Sequence, residues 1–285
     1  MNPARTFPDK GTFLSRGTFL SRVGDSPALL GLLGLGVFAA LLEILPRAGV
    51  LNSEYFPPTS RIIGALWQEL GRPDQPFKPS LLNALGDTLV TWLTGLAIAV
   101  AAGVVVGVVI GSVPLLREFT ASTIEFLRPI PSVALIPGLI VLLGVGREPT
   151  LVIVVYASFW QVLVQVLYGV ADVDPVARDT ARSYHLGPFR RVRYVIWPTA
   201  LPYVMTGIRL ATTVALIVTI TGEMVIGTPG LGDNLFVAYT GGDVPVMYAL
   251  ILVTGLIGVV ANSITRAGER IVLRWHPSVR GEVAV

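Results

Sequence analysis

The chain has few residues suited to covalent chemistry, and they are not arranged for it. Its two histidines, His185 and His276, are far apart, with no cysteine or histidine at ligand spacing beside either. There is no cysteine at all, so neither a metal site nor thiol chemistry is expected. A phosphate loop needs glycine-rich backbone followed by Gly-Lys-Ser/Thr. Lysine occurs only at Lys10 and Lys78, neither in that context, and no lysine follows the glycine-rich turn GTPGLGDN at 227–234. The chain therefore cannot itself be a nucleotide hydrolase. No Ser-His-Asp set and no paired carboxylates stand out. What remains is ionic and suited to an interface. Asp172–Pro202 gathers five arginines (Arg178, Arg182, Arg190, Arg191, Arg193), three aspartates and His185 between two apolar runs of membrane length.

The elements that position this polar stretch are apolar and long. Of 285 residues, 53% are hydrophobic and only 14% charged, with a mean hydropathy of +0.71. Soluble domains carry nearer a quarter charged residues. The fold class expected is all-α, a polytopic membrane protein of about six transmembrane helices at 27–45, 82–113, 119–145, 150–170, 203–225 and 245–264 within a domain at 27–270. Residues 1–26 read as a disordered cytoplasmic tail, and 271–285 as a cytoplasmic C-terminal tail. The first tail repeats GTFLSR at 11–16 and 17–22, read as slippage or as a motif. It is not a cleavable signal peptide by pattern.

Several positions within the spans stand out. Gly95, Ala99, Gly103, Gly107 and Gly111 recur every four residues and make a smooth ridge for another helix. Arg128-Pro129-Ile130-Pro131 breaks the third apolar stretch; Arg128 is either a functional intramembrane charge or an arginine at the end of a broken helix. Gln161 and Gln165 share a face that lines a cavity or bonds a neighbouring helix. Thr206, Thr212, Thr213, Thr219 and Thr221 make the fifth span rich in hydroxyls. Glu43 and Glu223 fall near span ends. Between the first two spans, Ile62, Ile63, Leu66 and Leu70 lie along one side of a short helix, at the membrane interface or against the protein's own domain.

The 172–198 segment reads as a helix–turn–helix. Asp174 caps a helix with Pro175 in its first turn, and Gly187-Pro188 breaks it. A second short helix covers Phe189–Trp197 and stops before Pro198. With both termini inside, the inner segments hold fourteen lysines and arginines and the outer loops five. Positive residues favour the cytoplasm, which puts the polar loop there.

This loop resembles the EAA loop of ABC importer permeases: acidic-small-small, three residues, glycine, nine residues, then Ile-x-Leu-Pro. Here Asp179-Thr180-Ala181 and Pro198 take the outer positions, and Val195 and Trp197 those of the Ile and Leu. His185 stands where glycine is usual, with the glycine expected to have moved to Gly187. The run Ala181-Arg182-Ser183-Tyr184 looks like the branch importing nitrate, taurine and alkanesulfonates.

The resemblance, covering roughly Leu81–Trp275, implies a type I ABC importer permease in the inner membrane of a bacterium, with both termini cytoplasmic. Its partners would be a second copy of itself, two ATPase subunits that bind ATP and Mg, an extracytoplasmic solute-binding protein and the lipid bilayer. The chain itself would bind no cofactor, metal or nucleic acid. Asp179, Thr180, Ala181, Arg182, Ser183, Tyr184, His185, Leu186 and Gly187 would couple to the ATPase, with small Ala181 and Ser183 allowing close approach and Tyr184 filling a pocket. His185 is either a pH-sensitive group in this loop or a simple surface histidine. Arg128, Gln161, Gln165, Thr213 and Glu223 are the candidates for the translocation path. The solute expected is a small anion such as a sulfonate, taurine or nitrate; a pyrimidine-like vitamin precursor is the alternative. An ion-coupled secondary transporter would show inverted repeats and an intramembrane carboxylate relay, and neither is apparent.

Overall fold

The computed structural model describes residues 27–74 and 79–275. The tandem repeat at 11–22, Lys78 and residues 276–285, with His276, lie outside them. The described residues contain helices and no strand, and the chain divides into two compact units, 1–62 and 63–285.

The first unit contains α1 (Pro27–Arg47) and the first turn of α2 (Thr59–Leu70). No polar side chain occurs from Ala28 to Leu42, and Leu32, Leu35 and Phe38 are exposed, as lipid requires. The end of α1 holds the start of α2. Thr59 Oγ1 donates to Ala39 O at 3.0 Å, and Ser60 N donates to Glu43 Oε2 at 2.9 Å. Along α2 the apolar side divides: Ile62 and Ala65 are buried, while Ile63, Trp67 and Leu70 are exposed.

The second unit is a helical bundle. The carboxylate of Asp74 accepts from Ser80 N and from Asn83 Nδ2, both at 2.6 Å, which lowers its pKa, chiefly through the backbone bond. Ser80 caps α3 (Leu81–Ser112). After Pro114 sets α4 (Pro114–Leu127), a 3-10 turn at Ser132–Leu135 leads into α5 (Ile136–Leu143), bent from α4 by 81°. Next come α6 (Arg147–Ala171), α7 (Pro175–Ser183), the four-residue α8 (Pro188–Arg191), α9 (Trp197–Ile226), α10 (Leu231–Thr240) and α11 (Val244–Val272).

The glycine ridge of α3 packs on α6. A Cβ built on Gly95 would meet Val154 Cγ1 at 2.6 Å; on Gly103, Val162 Cβ at 2.8 Å; on Gly107, Val166 Cγ1 at 2.7 Å; on Gly111, Val170 Cβ at 2.9 Å. Between these rungs Ala99 and Ser158 are both fully buried. The partners advance together in sequence, so α3 and α6 are parallel. A parallel pair joined by residues 113–146 requires that segment to travel back along the bundle. The bent α4–α5 pair therefore crosses once, in addition to the five helices among the described residues that are long and apolar enough to do so.

Helix α9 runs antiparallel to α6. Gly169 lies against Ala200 near one end, and Gly222 against Ile153 and Thr150 near the other. The end of the second unit with the 172–196 loop, called here the loop end, also holds the α3–α4 turn and the C-terminus of α11. The far end holds the start of α3, the α5–α6 turn and α10.

Gly103→Leu or Gly107→Leu should cut the yield of monodisperse protein in size-exclusion chromatography, because overpacking a tight seam costs about 1–3 kcal/mol. Gly255→Leu, where a Cβ meets nothing within 4 Å, should leave the yield unchanged. Equal yields from all three would mean that the seam does not bind the bundle.

Candidate functional site

The polar loop is built from the end of α6 outward. Asp172 ends that helix, Val173 is buried, and Asp174 Oδ1 accepts from Val176 N at 2.8 Å to start α7. Arg178 donates to Val170 O, folding α7 back onto the end of the bundle. One face of α7 is therefore spoken for. Ala181, three residues after Arg178 and on its side, is 3% exposed. Its small size seats α7 on its own chain, which corrects the expectation that it offers close approach to a partner. The outward face holds Asp179, Thr180 and Ser183, with the exposed Arg182 at its edge one turn after Arg178, and Tyr184 follows at 79% exposure. Asp179 and Arg182 pair at 3.4 Å with both side chains mostly exposed, an interaction worth little by itself.

The loop also explains its departure from the motif glycine. Leu186 N donates to Ala181 O at 3.0 Å, and His185 N to Arg182 O at 2.9 Å. These are the two bonds of a Schellman helix end, whose residue after the cap must be left-handed. That residue is His185, at φ 53°, the only non-glycine with positive φ among the described residues. Its Nδ1 lies 2.9 Å from Ser183 O. Gly187 does not replace the motif glycine: at φ −61° and ψ 160° its backbone suits any residue. Leu186 is half-buried behind the turn.

The second half of the loop differs from the short helix expected at 189–197. Instead, α8 runs into a π turn at Val192–Ile196 and on into α9, without stopping at Pro198. A proline in a regular helix clashes with the carbonyl four residues back. The wider turn, with Trp197 N bonded to Val192 O, carries the chain past that position. Thr199 and Thr206 then bond Val195 O and Pro202 O, each at 3.1 Å.

The path candidates are dispersed. Arg128 caps α4 at the break and is exposed. At the break, Leu127 O accepts both from Ile130 N at 3.2 Å and from Tyr156 Oη of α6 at 2.6 Å. Gln161 and Gln165 are half-buried at the α6–α9 seam, where a Cβ on Gly207 would meet Gln165 Cβ at 3.1 Å. Thr213 is exposed on α9. Glu223 is sixteen residues beyond Gly207 on the same helix, about 24 Å at 1.5 Å per residue. Within one chain these five do not form a single site.

Glu223 is 1% exposed and serves the far end of the bundle. Its Oε2 accepts from Thr88 Oγ1 at 2.8 Å and from Gly232 N at 3.0 Å, and Thr88 Oγ1 accepts from Leu231 N at 2.8 Å. Two N–H groups at the start of α10, which its own helix cannot satisfy, are thus capped by α3 and α9. Gly230 and Gly232 lie so close to Glu223 and to the α9 backbone that a Cβ at either position would collide. In the sequence Glu223 and the glycine turn stand out separately, and Thr88 does not. The signal was an intramembrane carboxylate followed within nine residues by G-L-G.

His185→Gly should hold or slightly raise thermal stability, because left-handed backbone costs an L-residue about 1–2 kcal/mol. His185→Val should lower it, β-branched side chains fitting that region worst. The reverse order in a thermal-shift assay on purified protein would contradict this account of the turn.

Residues 84–274 match the family model described as "Binding-protein-dependent transport system inner membrane component". The taurine transport system permease protein TauC of Escherichia coli is 27% identical over 87% of this chain and 91% of its own. The choline transport system permease protein OpuBB of Bacillus subtilis is 32% identical over 60% of this chain and 84% of its own. In fold, a chain of the inward-facing MetNI methionine ABC transporter superposes with a TM-score of 0.56 at 20% identity, covering 66% of this chain and 95% of that one. This chain belongs to the binding-protein-dependent inner-membrane permease family and is the membrane-spanning permease of an ABC importer of type I.

Proposed function

We propose that the chain couples to a separate ATPase through residues 172–198, pairs with a second copy of itself, and receives its solute from an extracytoplasmic binding protein. ATP and Mg belong to the ATPase, and this chain binds no cofactor. The observation that carries the coupling is the outward face of α7. Asp179, Arg182 and Tyr184 are exposed on a helix that Arg178 and Ala181 hold firmly to the bundle. Exposed aromatics on rigid elements are typical anchors for a partner protein. Helix α9 begins at the same loop and runs the length of the bundle, so a push on the loop reaches the spans.

The loop end faces the cytoplasm in this reading. Arg117, Arg178, Arg182, Arg190, Arg191, Arg193, Arg266, Arg270 and Arg274 cluster there, against Arg72 and Arg147 at the far end, and positive residues stay inside. The solute is a small anion of the sulfonate or taurine kind. The taurine relative and the exposed Arg128 at the helix break support that choice.

Tyr184→Ala should insert at wild-type levels, since the ring is exposed, but lower ATP-driven taurine uptake roughly tenfold or more, the scale of a lost aromatic anchor. The assay uses vesicles holding the permease, its ATPase and its binding protein. Undiminished uptake would sink the coupling role; uptake of choline in preference to taurine would sink the solute class. For orientation, Tyr239→Cys should react with a membrane-impermeant thiol reagent on intact cells, and Ser183→Cys only after permeabilisation. Tyr239 is 65% exposed at the far end. Thr228, in the neighbouring glycine turn, is 4% exposed and too buried to report. Labelling of Ser183→Cys on intact cells would reverse the orientation.

A further inference from the structure

At the loop end of the second unit a cavity of about 410 Å³ opens between the end of α3, the start of α4 and the polar loop. Its walls include Arg117, Arg178, Arg182 and Arg191, with Glu118 the one acidic side chain among them. These four charges have little to balance them. Arg178 and Arg191 each donate to a backbone carbonyl, that of Val170 and that of Leu186. Arg182 pairs with the exposed Asp179. Among the described residues neither Arg117 nor Glu118 forms an ion pair.

Two polar atoms in the walls, Arg191 Nε and Ser112 Oγ, are buried with no hydrogen-bond partner among the described residues. Pro114, the first residue of α4, also lines the cavity, and Val113 before it supplies no side-chain cap. The positive end of a fourteen-residue helix therefore opens on the same space. Clustered guanidinium groups and an uncapped helix start make the space between them attractive to an anion. Guanidinium donors match the paired oxygens of a phosphate.

The surroundings separate a lipid phosphate from a free one. The cavity lies where the membrane helices end. On α4, next to Arg117 and Glu118, Leu115 and Phe119 are 75% and 81% exposed. An anion that enters here brings apolar chains at little cost, because the adjoining helix surface already suits hydrocarbon. Basic pockets between helices on the cytoplasmic side are a general form of headgroup site.

We propose that this cavity binds the phosphodiester headgroup of an anionic phospholipid, whose acyl chains lie along Leu115 and Phe119. Bound there, the lipid bridges α4 and α7 and steadies the polar loop against the bundle. Only the choice of leaflet rests on the orientation proposed above.

The test is native mass spectrometry of the full chain in neutral detergent, titrated with dioleoylphosphatidylglycerol, dioleoylphosphatidylcholine or inorganic phosphate. The wild type should retain phosphatidylglycerol roughly tenfold more strongly than phosphatidylcholine. Arg117→Gln should abolish that preference. Arg193→Gln, which removes a charge outside the cavity, should keep it. Equal retention of the two lipids by the wild type would overturn the proposal without reference to any variant. So would displacement of phosphatidylglycerol by equimolar inorganic phosphate, which would make the ligand a soluble anion. An Arg117→Gln protein that keeps the lipid preference but no longer copurifies with the ATPase would overturn it too, assigning the cavity to the partner's acidic side chains. Because the lipid readout needs neither ATP nor solute, its failure is distinct from failure of the coupling reading.

Discussion

The close seam between α3 and α6 is the constraint on which the rest depends. Helices in a bilayer gain nothing from leaving lipid for one another, since both surroundings are apolar; they associate through packing. Four glycines on α3 and four valines on α6 interlock at distances that leave no room for a Cβ. Because the two helices are parallel, everything between them must return along the bundle. That requirement makes the broken α4–α5 segment a crossing rather than a surface excursion, and it assigns each loop of the second unit to one end.

The breaks are then tolerated because neighbouring helices satisfy what they free. Tyr156 of α6 adds a second hydrogen bond to the Leu127 carbonyl, which Ile130 N also reaches, and a π turn carries α9 past Pro198. Backbone groups released inside a membrane have no water to turn to. The result at the loop is mechanical: the chain from Pro188 to Ile226 reads as one run of 39 residues, so the polar loop is continuous with a helix that spans the bundle. The coupling proposed for this loop needs a stiff connection of this kind.

The two ends of the bundle use different devices for the same difficulty, the unsatisfied groups of a helix terminus. At the far end, α10 is capped by Glu223 and Thr88 from two other helices, which locks the glycine turn to the spans. At the loop end, α7 closes on itself through the left-handed His185 and keeps one face free. Locked backbone at one end and an exposed, seated helix at the other suit an element that transmits motion from one side only.

By itself the sequence determined the class of the molecule. Apolar runs of membrane length, the four-residue glycine ridge and the charged loop are local patterns, legible because lipid and water sort residues by type and period. The motif around Asp179 was legible through its resemblance to the loop of ABC importer permeases. What only the tertiary structure decided were facts about which groups meet. The parallel order of α3 and α6, the pairing of Glu223 with Thr88 across 135 residues, and the inward turn of Ala181 all depend on neighbours distant in the chain. So does the helix that continues through Pro198, where local chemistry predicts a stop and only the wider turn removes the clash. Periodicity tells which face of a helix is buried but not what covers it, because packing is settled between surfaces and no single segment contains both.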